Sequence, residues 1–149
     1  MIMNKLNKAI ILASKIHSGK KGKNKESAIL HPIRVMQKMN TNKTKIIAIL
    51  HDVIETGKIS IIDLEEMGFN KKICEAIDAL SRKKWEKYDN YILRVKKNKT
   101  AVKVKLEDLI DNHSKRRSYK KKSKTDIKKM KKYEKAYKIL SGSKIPLKV

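Results

Sequence analysis

The chain has 149 residues, a size that suits one domain, and 40% of them are apolar, enough for a core. Two prolines and five glycines exclude a turn-rich all-β architecture and point to an all-α class. The net charge of +24 excludes little but favours polyanionic partners: nucleotides, nucleic acid or an anionic membrane.

Leu6, Ile10, Ala13 and Ile16 recur at helical spacing and predict a helix over residues 3 to 17, with His17 at its end. Residues 18 to 28 read as a loop carrying Lys20, Lys21, Lys23 and Lys25. The loop does not match the phosphate-loop pattern, so a solvated loop is the simplest account of it. His31-Pro32 opens the next helix, since proline is at home in a first turn. Ile33, Val35, Met36 and Met39 give that helix its buried stripe, and residues 40 to 43 form a turn.

Residues 44 to 55 are predicted as the central helix. Its apolar run, Ile46 to Leu50, ends in His51-Asp52, with Glu55 four residues after the histidine. On a continuous helix Glu55 would share a face with His51. Ser60 and Asp63 start a short helix with a near capping-box pattern, which Gly68 ends. Ile73, Ala76, Ile77 and Leu80 mark another helix, and Tyr88, Tyr91, Ile92 and Val95 the next.

Residues 101 to 112 fit two patterns. Val102, Val104 and Leu106 alternate with polar residues as a strand would, whereas Ala101, Lys105, Asp108 and Asn112 share a helical face. Helical neighbours on both sides decide for helix. The segment 115–124 is densely basic. A helix over 125–141 follows, with Ile127, Met130, Tyr133, Tyr137 and Leu140 as its stripe and Gly142 as the stop. Its tyrosines predict that it docks on the core.

The positive charge is nearly all lysine, while dedicated nucleic-acid binders lean more on arginine and aromatic side chains. Lysine bias therefore outweighs nucleic-acid binding through the basic surface as the account of the charge. The single cysteine, Cys74, excludes an internal disulfide framework and fits a reducing compartment. Lysines interrupt the N-terminal stretch, so neither a signal peptide nor a membrane span is expected. The reading is cytoplasmic.

Imidazoles and carboxylates together suit a divalent first-row metal. His31, His51 and Asp52 are candidate ligands. Spacing alone does not choose Asp108 over Asp63, Asp78 or Asp89 as a further one.

Three stretches resemble motifs of the HD-domain phosphohydrolases: His31-Pro32, Leu50-His51-Asp52-Val53-Ile54-Glu55, and Val104 through Asn112. More narrowly, they are similar to the small alarmone hydrolases, stand-alone relatives of the RelA/SpoT hydrolase domain. His17-x-Gly19, Lys23, Asp63-Leu64, Gly68-Phe69, Ala76 to Leu80, Tyr88-x-x-Tyr91-Ile92 and Asn98-x-x-Ala101 follow in the family's order. The resemblance covers residues 3 to 141. It implies an HD-domain helical bundle across residues 1–149, with a divalent metal, usually manganese, on His31, His51, Asp52 and Asp108. It implies hydrolysis of the 3′-pyrophosphate of guanosine tetra- or pentaphosphate. Glu55 would serve the attacking water, Lys23 and Lys105 the phosphates, and Asn112 the nucleoside.

The chain departs from the family at Thr56, where a second catalytic carboxylate is usual. In the loop, Gly22, Lys20, Lys25 and Ala28 replace an arginine or aspartate, a glutamine, a glycine and a tyrosine. These departures motivate alternatives: an HD-fold protein that has weakened catalysis and binds nucleotide or RNA, or a phosphatase for another nucleotide such as NADPH. Oligomeric state is not legible in the sequence.

Overall fold

The computed structural model describes residues 4–21 and 26–147. Polar caps set where most of its helices begin. Asn4 accepts a hydrogen bond from the Asn7 amide and opens α1 (Lys5–Ile16). Then α2 (Leu30–Gln37) starts with Pro32 in its first turn, where the missing N–H costs nothing. Thr41 and Thr44 cap each other reciprocally at the start of α3 (Asn42–Leu50). Ser60 and Asp63 complete the predicted capping box of α4 (Ile61–Glu66), at 3.1 and 2.9 Å. Asn70 caps α5 (Lys71–Ala79), α6 (Tyr88–Lys96) follows, and Asn98 caps α7 (Lys99–Arg117). Another capping box, Ser123 with Asp126, opens α8 (Lys124–Ser141), which Gly142 ends at φ 76°.

Of the central helix α3, Ile46, Ile47, Ala48, Ile49 and Leu50 are all buried. A helix that is apolar all round belongs inside a bundle. It is wrapped by α1, α2, α5 and α7. Burying each isoleucine or leucine contributes about 1.5–3 kcal/mol, so α3 is the anchor of the core. The ambiguous stretch 101–112 lies within α7, with Ala101, Lys105 and Asp108 on its buried face.

The central helix is shorter than the apolar run and its polar tail predict. It ends at Leu50, and Ile54–Thr56 form a separate 3-10 turn. The cause is local. Ala48's carbonyl, which a continuing helix would give to the Asp52 amide, instead accepts both the His51 amide at 3.3 Å and the His51 Nδ1–H at 2.6 Å. Thr56 Oγ1 donates to the Val53 carbonyl at 2.6 Å, and Gly57 at φ 75° turns the chain away. Asp52 and Glu55 thus sit beyond the helix, on a turn.

The C-terminal helix docks as expected. α8 packs on α7 and α6, with Ala136 buried and Tyr133 and Tyr137 partly so. Two polar contacts tie it to α7: a hydrogen bond between His113 and Glu134 at 2.7 Å and an ion pair between Arg116 and Asp126 at 2.9 Å. The segment 115–124 is not uniformly a solvated surface, since Arg116 is buried and Lys115 turns inward to Glu26. Among the described residues no helix is long and apolar enough to cross a membrane.

Candidate metal centre

His31 enters from the first turn of α2, His51 from the C-cap of α3, and Asp108 from the buried face of α7. One donor atom from each lies within 4.8 Å of the others. His31 Nε2 is 2.7 Å and His51 Nε2 3.3 Å from Asp108 Oδ1. Asp52, on the turn after α3, brings Oδ1 to 3.2 Å from His51 Nε2 and Oδ2 to 4.0 Å from His31 Nε2. Donors bound to one first-row ion at about 2.1 Å and at right angles stand about 3 Å apart. The spacing of His31, His51 and Asp108 suits one divalent ion, and Asp52 stands within 4.0 Å of both imidazoles.

The far side of each imidazole explains the convergence. His51 Nδ1–H is given to the Ala48 carbonyl. His31 Nδ1 lies 2.6 Å from Asp111 Oδ2. With both Nδ1 atoms committed as donors, both Nε2 lone pairs face the same carboxylates, an arrangement that wants a cation between them. Without an ion, a proton takes that place. Burial opposes charge on His31, yet its bonds to Asp108 and Asp111 outweigh burial and lift its pKa to about 10. Burial would likewise raise Asp108, but Lys105, His31 and His51 hold its carboxyl well below the usual range.

Behind the ligands runs a chain of ion pairs. Arg34 Nε and NH2 donate to Asp111 at 2.8 and 3.0 Å. Arg34 also grips Glu26, at 2.7 and 3.1 Å, and holds that carboxyl at about 2. Lys115 closes on Glu26 from α7. Asp111 itself sits far below its ordinary range: burial raises it, and His31 and Arg34 more than reverse that.

Two cavities flank the cluster, and Asp52 borders both. The smaller, about 170 Å³, is lined by His51, Glu55, Arg82, Tyr88, Lys105 and Asp108 among others. The larger, about 310 Å³, is lined by His17, His31, Asn112, Lys115, Lys129 and Tyr133 among others. Glu55 reaches the smaller cavity from the 3-10 turn, not from a helical face shared with His51. Its Oε1 accepts the Arg82 amide at 2.7 Å. Burial, with help from Asp52, raises its carboxyl above the usual value.

Of the other residues singled out in the sequence, Lys105 is buried with Nζ 2.8 Å from Asp108 Oδ2, and its ammonium also lies 5.0 Å from the Tyr91 ring centroid. Asn112 donates to Asp108 Oδ1 at 3.0 Å and lines the larger cavity. Thr56 is not brought to the cluster: its hydroxyl closes the turn at Val53. Lys23, with Gly22 and Lys25, lies outside the described residues. His17, given no site role in the sequence, is buried against the larger cavity, and its Nε2 has no partner among the described residues.

Sequence reasoning did not give Asp111 and Arg34 a role. Each lies three residues after a predicted ligand, Asp108 and His31, and so on the same helical face, which is a usable signal. Glu26 and Arg82 sit on loops and carry no such periodicity.

No family model matches the chain, and no curated protein does. Among solved structures it is similar to a metazoan ortholog of SpoT that hydrolyses ppGpp and plays a role in starvation responses. The TM-score is 0.79 at 19% identity, over 97% of this chain and 89% of that one. The chain shares that structure's all-α fold. The likeness spans the whole bundle, including α8, and leaves the chemistry to be argued from the site's own residues.

Proposed function

We propose that the chain is a metal-dependent nucleotide phosphohydrolase that removes the 3′-pyrophosphate of (p)ppGpp-like alarmones in the cytoplasm. The observation that carries the reading is the convergence of His31, His51 and Asp108 within 4.8 Å, with both Nδ1 atoms anchored behind them. A divalent ion held by these three and Asp52, manganese by preference, would make water a nucleophile at neutral pH and offset charge developing on phosphorus. Two neutral imidazoles and two carboxylates balance its double charge.

The remaining work falls to the chain. Glu55 borders the same cavity as Asp52 and Asp108, and its raised pKa suits a base that takes a proton from the attacking water. As water adds to the 3′-linked phosphorus, the bond from phosphorus to the ribose 3′ oxygen breaks and pyrophosphate leaves. Arg82 and Lys105 line the smaller cavity and Lys115 and Lys129 the larger, so cations meet phosphate on both sides of the ligands. Asn112, on the wall of the larger cavity, is assigned to the nucleoside. The ppGpp hydrolysis named for the metazoan structure supports this substrate class.

The test is pyrophosphate release with manganese across guanosine and adenosine 3′-pyrophosphates and NADPH. Release from the 3′-pyrophosphates supports the reading. The loop carries no arginine or aromatic ring to stack a base, so discrimination between guanine and adenine should be about tenfold or less. Phosphate release from NADPH alone would replace the alarmone with another nucleotide.

A further inference from the structure

Trp85 is the chain's one tryptophan, and it is 84% exposed. An exposed indole keeps its ring face free to stack on an aromatic ligand. Trp85 stands on the α5–α6 connection, and that connection is held from several sides. The Arg82 amide is fixed by Glu55, and the Arg82 Nε donates to the Glu86 carbonyl. Arg94 donates to the Asp78 and Ser81 carbonyls and, through two nitrogens, to the Glu86 carboxylate. The indole is therefore presented on a fixed frame.

Its surroundings are basic. Lys84 and Lys87 are exposed neighbours in sequence. Helix α8 runs alongside, since Lys132 Nζ lies 4.3 Å from the Tyr88 ring centroid and Lys135 is 3.2 Å from Asp89. Lys128, Lys131, Lys132 and Lys135 share one face of α8 by their spacing. Lys132 at Tyr88 and Lys135 at Asp89 join that face to the start of α6, three and four residues past Trp85.

We infer that Trp85 and the lysine face of α8 form a docking surface for single-stranded nucleic acid. Unpaired bases have faces that stack on an exposed indole, and a phosphate backbone pairs with a row of lysines. A duplex hides its base faces. A second copy of this chain is disfavoured by the net charge of +24 on each. A membrane-seeking face would carry several apolar side chains, whereas Trp85 is flanked by lysines. This inference goes beyond the proposed hydrolase and does not rest on it.

The sole tryptophan is its own probe. An oligouridylate of about twelve nucleotides should quench its fluorescence saturably, with an affinity that falls steeply as salt is added. Trp85→Ala should weaken binding of the labelled oligonucleotide, read by anisotropy, by about tenfold, and Trp85→Phe should recover most of it. Lys128→Glu with Lys131→Glu should flatten the salt dependence. Circular dichroism of each variant should match the parent, because these side chains are exposed. Equal binding by Trp85→Ala and the parent would overturn the inference. So would absence of quenching, or quenching by phosphatidylserine vesicles and not by the oligonucleotide.

Discussion

Replacing Asp111 by asparagine tests whether the anchored imidazole makes the metal centre. The Asp111 carboxylate takes His31 Nδ1 at 2.6 Å and two Arg34 nitrogens at 2.8 and 3.0 Å. Asparagine keeps the shape but loses the charge, and its amide can present N–H where the imidazole also donates. His31 then loses the partner that turns its Nε2 toward Asp108. Loss of such a partner typically costs 10–100-fold in metal affinity, about 1.4–2.7 kcal/mol. Arg34 keeps its bonds to Glu26, so the fold should survive with a loss of about 1–2 kcal/mol. Calorimetric titration with Mn²⁺ reads the affinity, and thermal melting reads the fold. An Asp111→Asn protein that melts lower but binds Mn²⁺ within about twofold of the parent would refute the reasoning. Asp111 would then be structural only.

Three further outcomes follow from other contacts. Glu55→Gln should keep the metal and lower kcat for pyrophosphate release by about 10²–10⁴-fold, and an unchanged kcat would remove Glu55 from the reaction. Thr56→Asp adds a carboxylate beside Glu55 but loses the hydroxyl that donates to Val53, so its melting should show a loss of about 1 kcal/mol. An unchanged melting temperature would show that this bond does not hold the turn. The Arg94 fork depresses the Glu86 carboxyl to about 2. A lowered carboxylate pKa adds stability that is full above the ordinary value and is lost as pH falls through about 2. Glu86→Gln should therefore cost about 1 kcal/mol near pH 7, with the pair partly open to solvent, and the difference should vanish in acid-melting curves near pH 2.

The helices were legible because burial imposes a period. Ile46 to Leu50, the α7 face of Ala101, Lys105 and Asp108, and the Ser60–Asp63 cap are all patterns a linear reading can count. The end of α3 was not, because it depends on one side chain, His51, taking a backbone carbonyl from the helix ladder. Periodicity is blind to that competition. The convergence of His31, His51 and Asp108 was legible through motif order, not through spacing, since Asp63, Asp78 and Asp89 were equal candidates by type. The chain from Asp111 through Arg34 to Glu26 and Lys115 needs α2, α7 and the loop before α2 to meet, which only tertiary packing supplies. The partners of individual cations also needed tertiary packing: Arg116 pairs with Asp126, Lys115 with Glu26 and Lys105 with Asp108.

The most direct test of the account is chelation and reloading with guanosine tetraphosphate as substrate. The protein is stripped with EDTA, dialysed, and given one equivalent of Mn²⁺, and guanosine diphosphate and pyrophosphate are measured. The account predicts no products from the stripped protein, products on reloading, and none from Asp108→Asn at any stage. Turnover that persists after complete removal of metal, or a fully reloaded parent that leaves the tetraphosphate intact, would contradict it.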